Sequence, residues 1–199
     1  MYDFTKPPQN LFNYFSFHKN LNNDEILDIF QITSNYEFNP GYIAGKVENN
    51  QIRSSKLKWI PPLEETQNLY KMLEELIVQA NSNFFNFNII GSMEYIQYTE
   101  YYDFEQGNYS WHRDGGVDEP PNSAYRKLSL TIQLSDPSEY EGGDLEISIP
   151  QPEKNLILKA PKEKGKVIIF PSYMWHRVTP VTKGVRKSLV WWVGGTPFR

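Results

Sequence analysis

Cysteine is absent from this chain of 199 residues. Its absence excludes disulfide bonds, iron–sulfur clusters, thiolate zinc sites and cysteine nucleophiles, so any metal must bind through nitrogen and oxygen atoms. Long apolar runs are absent too, and the N-terminal residues lack the basic segment and apolar core of a leader. We therefore expect a cytoplasmic protein with no membrane segment.

Positive charge is not in excess either. The formal net charge of −4 gives no overall attraction to phosphate and argues against a nucleic-acid partner. Aromatic residues, in contrast, make up 15% of the chain, which is enough to build a large packed core. The length suits a single domain over residues 1–199. Nothing in the composition indicates the oligomeric state.

The first ninety residues contain two helical patterns. Polar residues 22–24 offer capping side chains before an amphipathic run at 25–30. A second helix is predicted to follow Pro61 and Pro62 and to reach Ala80, because apolar residues recur there at helical spacing. Residues 1–90 are thus predicted to form a helix-containing N-terminal cover.

From Ser92 onward the apolar pattern has the period of strands. Residues 128–134 alternate strictly between apolar and polar, as in a half-buried strand, and 145–149 alternate again. Residues 167–170 form a continuous apolar run, and 188–193 close the series. Short strands with regular turn signals predict a β-sandwich or barrel over residues 91–195, with the helices covering one face.

Two of the three histidines and one aspartate have the spacing of a metal site. His112 and Asp114 form a His-x-Asp triplet, whose side chains share a face on extended chain, and His176 follows at a distance. Two histidines and one carboxylate on one face of an octahedral ion are the ligand set of non-haem iron(II) oxygenases. The alternative is that all three are ordinary polar residues of a β domain.

Arg186 and Ser188 share strand parity and can face the same interior. A buried guanidinium needs a partner, and a ligand carboxylate would accept two parallel hydrogen bonds from it and a third from the serine. The alternative is a surface arginine beside Lys183 and Lys187.

In this order the five residues resemble the iron(II)- and 2-oxoglutarate-dependent dioxygenases, most closely the prolyl 4-hydroxylase-like and PKHD-type hydroxylase branch. Three segments between residues 92 and 195 are also similar to that family: QYTEYYDFEQGNYSWHRD, RKLSLTIQLSDPSEYEGGDLEI and GKVIIFPSYMWHRVTPVTKGVRKSLVWWVGG. The resemblance implies a mainly β protein with flanking helices, whose core is a double-stranded β-helix (jelly-roll).

The resemblance also implies the site. Fe(II) would bind to His112, Asp114 and His176, while the far carboxylate of the cosubstrate 2-oxoglutarate would pair with Arg186 and Ser188. O2 would be the second cosubstrate, and ascorbate is a candidate stimulant.

A tyrosine on the strand before His112 is implied as a further carboxylate partner. Counting from the strand start selects Tyr101, whereas counting back from His112 selects Tyr102. Adjacent strand residues face opposite ways, so only one can take this role, and we prefer Tyr101. Tyr102, Tyr109 and Trp175 are candidate residues lining the active site.

The implied function is hydroxylation of an unactivated C–H bond with release of succinate and CO2. By analogy with the family, the expected substrate is a protein or peptide side chain such as proline. Two alternatives stay open: an oxygenase of the same family that acts on a nucleobase or small molecule, and a non-catalytic metal-binding β-barrel that senses a ligand.

Overall fold

The structure is a computed structural model that describes residues 15–40, 52–92, 94–115, 125–151 and 153–196. The side chains of residues 15–19 and 40 lie outside this description. The predicted domain span of 1–199 and the predicted cover of 1–90 therefore extend beyond the described residues.

Two α-helices are present in these ranges, α1 (Asn23–Ser34) and α2 (Gln67–Ala80). The strands are β1 (Phe15–Asn20), β2 (Asn39–Pro40), β3 (Arg53–Ser54), β4 (Lys56–Ile60), β5 (Ile89–Ser92), β6 (Ile96–Tyr102), β7 (Asn108–His112), β8 (Tyr125–Gln133), β9 (Tyr140–Gly142), β10 (Leu145–Ile149), β11 (Leu156–Lys159), β12 (Lys166–Pro171), β13 (His176–Val178) and β14 (Val181–Gly195).

The strands form two antiparallel sheets. The larger sheet has the order β1-β12-β8-β14-β6-β4-β2, with β5 and β9 paired to β14, and the smaller has the order β11-β10-β13-β7-β3. From β6 onward the chain passes back and forth between the sheets: β6, β8, β9, β12 and β14 belong to the larger sheet, and β7, β10, β11 and β13 belong to the smaller one. This is the winding of a double-stranded β-helix, and the predicted fold class is confirmed.

The first ninety residues also supply strands to the larger sheet. Strand β1 pairs with β12, and β4 pairs with β6. The sequence patterns predicted only helices in this part of the chain, because two- to six-residue edge strands carry little periodic signal. The N-terminal part is therefore joined to the β core by backbone hydrogen bonds as well as by helix packing.

Helices α1 and α2 cover the outer face of the larger sheet, as predicted. Their buried residues, such as Ile29 and Leu73, belong to one apolar cluster with Leu130 of β8 and Trp191 of β14. No helix in the described part of the chain is long and apolar enough to cross a membrane.

Strand β8 differs from the expected half-buried strand, because both of its faces are buried. Leu128, Leu130 and Ile132 face the helices, whereas Ser129 and Gln133, 0% and 1% exposed, occupy the opposite face. That opposite face is turned toward the smaller sheet instead of toward solvent. The polar half of the alternation therefore lines the space between the two sheets, where a site can form.

We predict that Asn22→Ala lowers the free energy of unfolding by about 1 kcal/mol. The Asn22 side chain accepts a hydrogen bond from the Glu25 backbone N–H at 2.9 Å, and the Glu25 carboxylate accepts one from the Asn22 backbone N–H at 2.7 Å. The two hydrogen bonds form the capping box at the N-terminal end of α1. Urea unfolding measures the loss, and Asn23→Ala, an exposed neighbour, is the control that should stay within about 0.5 kcal/mol.

Candidate metal and cosubstrate site

The structure brings the three sequence-predicted metal ligands together between the sheets. His112 ends β7 and is the direct cross-strand partner of His176, which begins β13. Asp114 follows two residues after His112, and its backbone N–H donates to the Ser172 carbonyl at 3.0 Å. The pairing of two short strands therefore places residues 64 positions apart in sequence side by side.

The ligand atoms of the three side chains converge. One Asp114 carboxylate oxygen lies 3.5 Å from His112 Nε2, and the other lies 3.4 Å from His176 Nε2. All three ligand atoms lie within 4.8 Å of one another. The side chains are 15%, 8% and 7% exposed for His112, Asp114 and His176, so the group is almost fully shielded from solvent. This arrangement could hold one divalent cation.

Backbone carbonyls orient both imidazole rings. His112 Nδ1 lies 2.8 Å from the Ser110 carbonyl, and His176 Nδ1 lies 2.9 Å from the Met174 carbonyl. A carbonyl can only accept, so each Nδ1 must carry the proton and each Nε2 keeps a free lone pair. A hydrogen bond from the ring nitrogen that does not bind the metal sets the tautomer of metal-binding histidines.

Sequence reasoning missed the residue that orients Asp114. The Ser129 hydroxyl donates to an Asp114 carboxylate oxygen at 2.7 Å, and it lies 2.9 Å from the Ser172 hydroxyl. Ser129 is on β8, in the larger sheet, and reaches across to the loop after β7. The alternation along β8 predicts that Ser129 and Thr131 share one face of the strand. Only the strand register shows which of these residues contacts the Asp114 carboxylate.

The electrostatics favour the protonation states that a metal requires. Burial alone would raise the pKa of the Asp114 carboxyl, but His176, His112 and the Ser129 hydroxyl hold that pKa well below its usual range. Burial lowers the pKa of His176 and Asp114 offsets this only in part. The structure therefore presents an ionised carboxylate beside a neutral His176 at neutral pH.

Arg186 is buried behind this group, 1% exposed. Its guanidinium donates to the Ser188 hydroxyl at 3.2 Å and to the Gln133 side-chain carbonyl at 2.9 Å, whereas its Nε–H has no hydrogen-bond partner among the described residues. No ion pair joins it to a carboxylate in that part of the chain. A buried, uncompensated cation of this kind fits an anionic ligand.

The geometry separates Tyr101 from Tyr102. Tyr101 is the direct cross-strand partner of Arg186, and the guanidinium carbon lies 5.4 Å from its ring centroid. Tyr102 points to the opposite face of β6, where its hydroxyl bonds to the Glu100 carboxylate. The structure therefore does not bring Tyr102 into the interior where its lining role was predicted.

The other two predicted lining residues lie on different sides of the metal ligands. The Tyr109 ring stacks on the His112 ring with centroids 3.5 Å apart and planes 17° apart. Trp175 is 49% exposed, and the Arg113 guanidinium carbon lies 5.2 Å from its ring centroid. Tyr109 thus packs against the predicted metal ligand His112, whereas Trp175 lies at the solvent-exposed edge of the site.

Trp192 is a further candidate site residue, and it was not singled out from the sequence. It shares the parity of Arg186 and Ser188 on β14 and lies directly opposite Ser129. The Arg126 guanidinium carbon lies 4.4 Å from the Trp192 ring, and the same guanidinium donates to the Asp114 backbone carbonyl at 3.0 Å. A tryptophan–arginine wall therefore stands beside the metal ligands.

Residues 96–194 match the family model of the 2OG-Fe(II) oxygenase superfamily. The match contains the His-x-Asp triplet, the distal histidine and the buried Arg186. The chain belongs to the 2OG-Fe(II) oxygenase superfamily. Fe(II), 2-oxoglutarate and O2 are the metal and cosubstrates that this family implies, and the donor set and uncompensated guanidinium described above fit the first two.

Within the superfamily, the chain is similar to PKHD-type hydroxylases. A PKHD-type hydroxylase of Xylella fastidiosa strain M12 is 41% identical over 96 residues, which cover 45% of this chain and 40% of that protein. PKHD-type hydroxylase YbiX of Escherichia coli strain 55989 is 29% identical over 158 residues, or 77% of this chain and 63% of that protein. The chain thus spans between two fifths and two thirds of the length of these curated relatives.

Two solved structures share the fold. A prolyl hydroxylase from Trichoplax adhaerens, in complex with a hypoxia inducible factor oxygen degradation domain peptide fragment, superposes with a TM-score of 0.74 at 21% identity, covering 94% of this chain and 85% of that one. A prolyl-4-hydroxylase from Pseudomonas putida gives a TM-score of 0.67 at 18% identity, covering 92% and 93%.

We predict a graded loss of metal binding. Asp114→Ala should abolish high-affinity Fe(II) binding, because it removes the only carboxylate of the predicted ligand set. Ser129→Ala should weaken binding about 10–100-fold, because it removes a hydrogen bond that orients that carboxylate. Anaerobic Fe(II) titration measures both effects, with Ser34→Ala on α1 as a control. Undiminished affinity in Asp114→Ala would contradict the ligand assignment.

Proposed function

We propose that this protein is an Fe(II)- and 2-oxoglutarate-dependent hydroxylase that acts on a protein or peptide side chain such as proline. The observation that carries the proposal is the position of two features in one interior: a converging His112–Asp114–His176 group, and a buried Arg186 guanidinium that meets no carboxylate among the residues that the structure describes. A metal site alone suits many functions. A metal site with a buried guanidinium nearby suits a cosubstrate such as 2-oxoglutarate, which can chelate the metal at one end and pair its carboxylate with the guanidinium at the other.

Each residue would have a defined task. His112, Asp114 and His176 would hold the iron through two imidazole nitrogens and a carboxylate oxygen. Arg186 and Ser188 would bind the far carboxylate of 2-oxoglutarate, with Tyr101 packed beside the guanidinium. When bound together, iron, 2-oxoglutarate and O2 supply the oxidation that hydroxylates a C–H bond and releases succinate and CO2.

Exclusion of water from this chemistry falls to the apolar walls. The Phe170 ring meets the His176 ring with centroids 4.8 Å apart, and Tyr109 covers His112. Both rings shield the iron ligands from bulk solvent, which strengthens the electrostatic interactions inside the site. The protein's share of catalysis is to hold the ligand geometry and to keep the reacting groups dry.

The wall formed by Trp192 and Arg126 has features that suit binding of a peptide substrate. Trp192 is 7% exposed and its indole N–H has no hydrogen-bond partner among the described residues. A backbone carbonyl of an extended peptide is a suitable acceptor, and the indole face suits an apolar ring such as that of proline. Trp59, 38% exposed, lies 6.4 Å from the Trp192 ring and extends this aromatic surface outward.

The first test is an anaerobic titration of the apoprotein with Fe(II) and 2-oxoglutarate, followed by the visible charge-transfer band of chelated 2-oxoglutarate. We expect the band in the wild type. Arg186→Ala should bind Fe(II) normally but should need at least ten times more 2-oxoglutarate, because the far carboxylate loses its charged partner. Lys183→Ala, an exposed cation on the same strand, is the matched control.

The outcomes separate the three functions considered. Iron binding without a 2-oxoglutarate band would favour the non-catalytic sensor and contradict the proposal. A band in the wild type without peptide hydroxylation would support the oxygenase assignment but contradict a peptide substrate. Small molecules and nucleobases would then be tested as substrates.

A second prediction concerns the substrate wall. Trp192→Phe should raise the KM for a proline-containing peptide several-fold, because the aromatic face remains while the unpartnered indole N–H is lost. The affinity for 2-oxoglutarate should stay unchanged, because Arg186 lies six residues away on the same strand. Succinate release and peptide hydroxylation, measured side by side, check the result. A fall in 2-oxoglutarate affinity alone would place Trp192 in the cosubstrate site.

A further inference from the structure

We propose that Tyr140 is an additional cosubstrate-binding residue, whose hydroxyl donates a hydrogen bond to the same far carboxylate that Arg186 holds. This inference rests on the proposed function and deepens it. It assigns to the short strand β9 a part in selecting a dicarboxylic 2-oxo acid.

Tyr140 reaches the interior through the pairing of β9 with β14. Its backbone lies opposite Gly184, two residues before Arg186. The side chain is 3% exposed, and its hydroxyl proton has no acceptor in the described part of the chain. Buried hydroxyls are nearly always hydrogen-bonded, because an unmade bond costs free energy. An unpaired tyrosine hydroxyl at this depth points to a ligand that accepts from it.

Gly143 shows that the Tyr140 and Arg186 side chains meet. A Cβ added at Gly143 would lie 3.0 Å from Arg186 Cδ and 3.3 Å from Tyr140 Cε2. The two side chains therefore flank one point, and only a residue without a side chain leaves that point open. Glycine is also favoured here by its φ of +59°.

The Arg186 Nε–H and the Tyr140 hydroxyl lie next to Gly143 and have no other described partner. The phenol oxygen is placed to accept from the guanidinium, which leaves the phenol proton without an acceptor. Burial raises the pKa of Tyr140, and the charge and hydrogen bond of Arg186 offset this only in part, so the phenol stays protonated at neutral pH. A buried phenol donor beside a guanidinium with no described carboxylate partner fits an anionic acceptor.

Lys162 fixes the Tyr140 ring from its other side. The Lys162 ammonium lies 4.3 Å from the ring centroid and donates to the Gly142 carbonyl at 2.7 Å, while its ion pair with Asp144 spans 3.2 Å. The lysine is therefore engaged with its own partners and holds the ring by a cation–π contact. The hydroxyl stays in place for a ligand.

Tyr140 and Tyr101 would serve Arg186 in different ways. The guanidinium lies over the face of the Tyr101 ring, so that tyrosine supports the cation by packing. Tyr140 is the tyrosine with a demonstrably unpaired buried hydroxyl near the guanidinium. A ligand carboxylate can accept from Arg186 and Tyr140 at once.

The test is Tyr140→Phe, which removes one oxygen atom. Calorimetric titration of the Fe(II) protein under anaerobic conditions should give a Kd for 2-oxoglutarate at least tenfold higher than in the wild type, as expected for losing a hydrogen bond to a charged group. The Kd for 2-oxobutyrate, which lacks the far carboxylate, should not change. Tyr98→Phe removes a buried hydroxyl on the helix side of β6 and is the matched control.

A second readout does not depend on turnover. Without ligand, Tyr140→Phe should melt at or above the wild-type temperature, because the hydroxyl it removes is unpaired in the free protein. Saturating 2-oxoglutarate should raise the melting temperature of the variant less than that of the wild type. This pair of melts also establishes that the variant is folded.

Two results would overturn the inference while leaving the proposed function intact. One is an unchanged 2-oxoglutarate Kd in Tyr140→Phe while Arg186→Ala loses binding. The other is an equal rise in the Kd values of 2-oxoglutarate and 2-oxobutyrate, which would give Tyr140 a purely structural role. A wild-type protein that binds no 2-oxoglutarate would overturn both proposals.

Discussion

The site depends on burying the positive charge of Arg186 between two sheets, with no anion to neutralise it among the described residues. Arg186 is almost fully buried, and the only described groups that accept its hydrogen bonds are the neutral side chains of Ser188 and Gln133. Such a charge costs free energy in the empty protein. Under the proposed function, the far carboxylate of 2-oxoglutarate would offset this cost, so binding of the cosubstrate would raise the free energy of unfolding.

The charge of Arg186 can be buried because the two central strands place apolar residues on one face and polar residues on the other. On β8 and β14 the apolar residues face α1 and α2 and form the main core, whereas the polar residues face the smaller sheet. The helices therefore stabilise the larger sheet from outside and leave its inner face free for polar groups. Polar residues such as Ser129 and Arg186 can therefore lie on the inner face without disrupting the packing of the apolar core.

The sequence predicted the elements whose signal is local. The His-x-Asp triplet, the parity of Arg186 and Ser188, both helices and the fold class could be read from spacing and family likeness. Counting from the strand start favoured Tyr101, but counting back from His112 favoured Tyr102, and only the strand register separates the two. The positions of Ser129 and Trp192 could not be predicted, because pairing between distant segments decides which interior residues meet. The alternation at 128–134 was visible, but in sequence a polar face toward a pocket looks the same as one toward solvent.

Strand β14 runs unbroken over 15 residues and pairs with β5, β6, β8 and β9. Arg186 and Trp192 project from the same face of this strand, six residues and therefore roughly 20 Å of backbone apart. A strand hydrogen-bonded to so many neighbours cannot stretch or slide. The backbone of β14 therefore fixes the spacing between Arg186 and Trp192, and under the proposed function this spacing would separate the bound cosubstrate from the peptide.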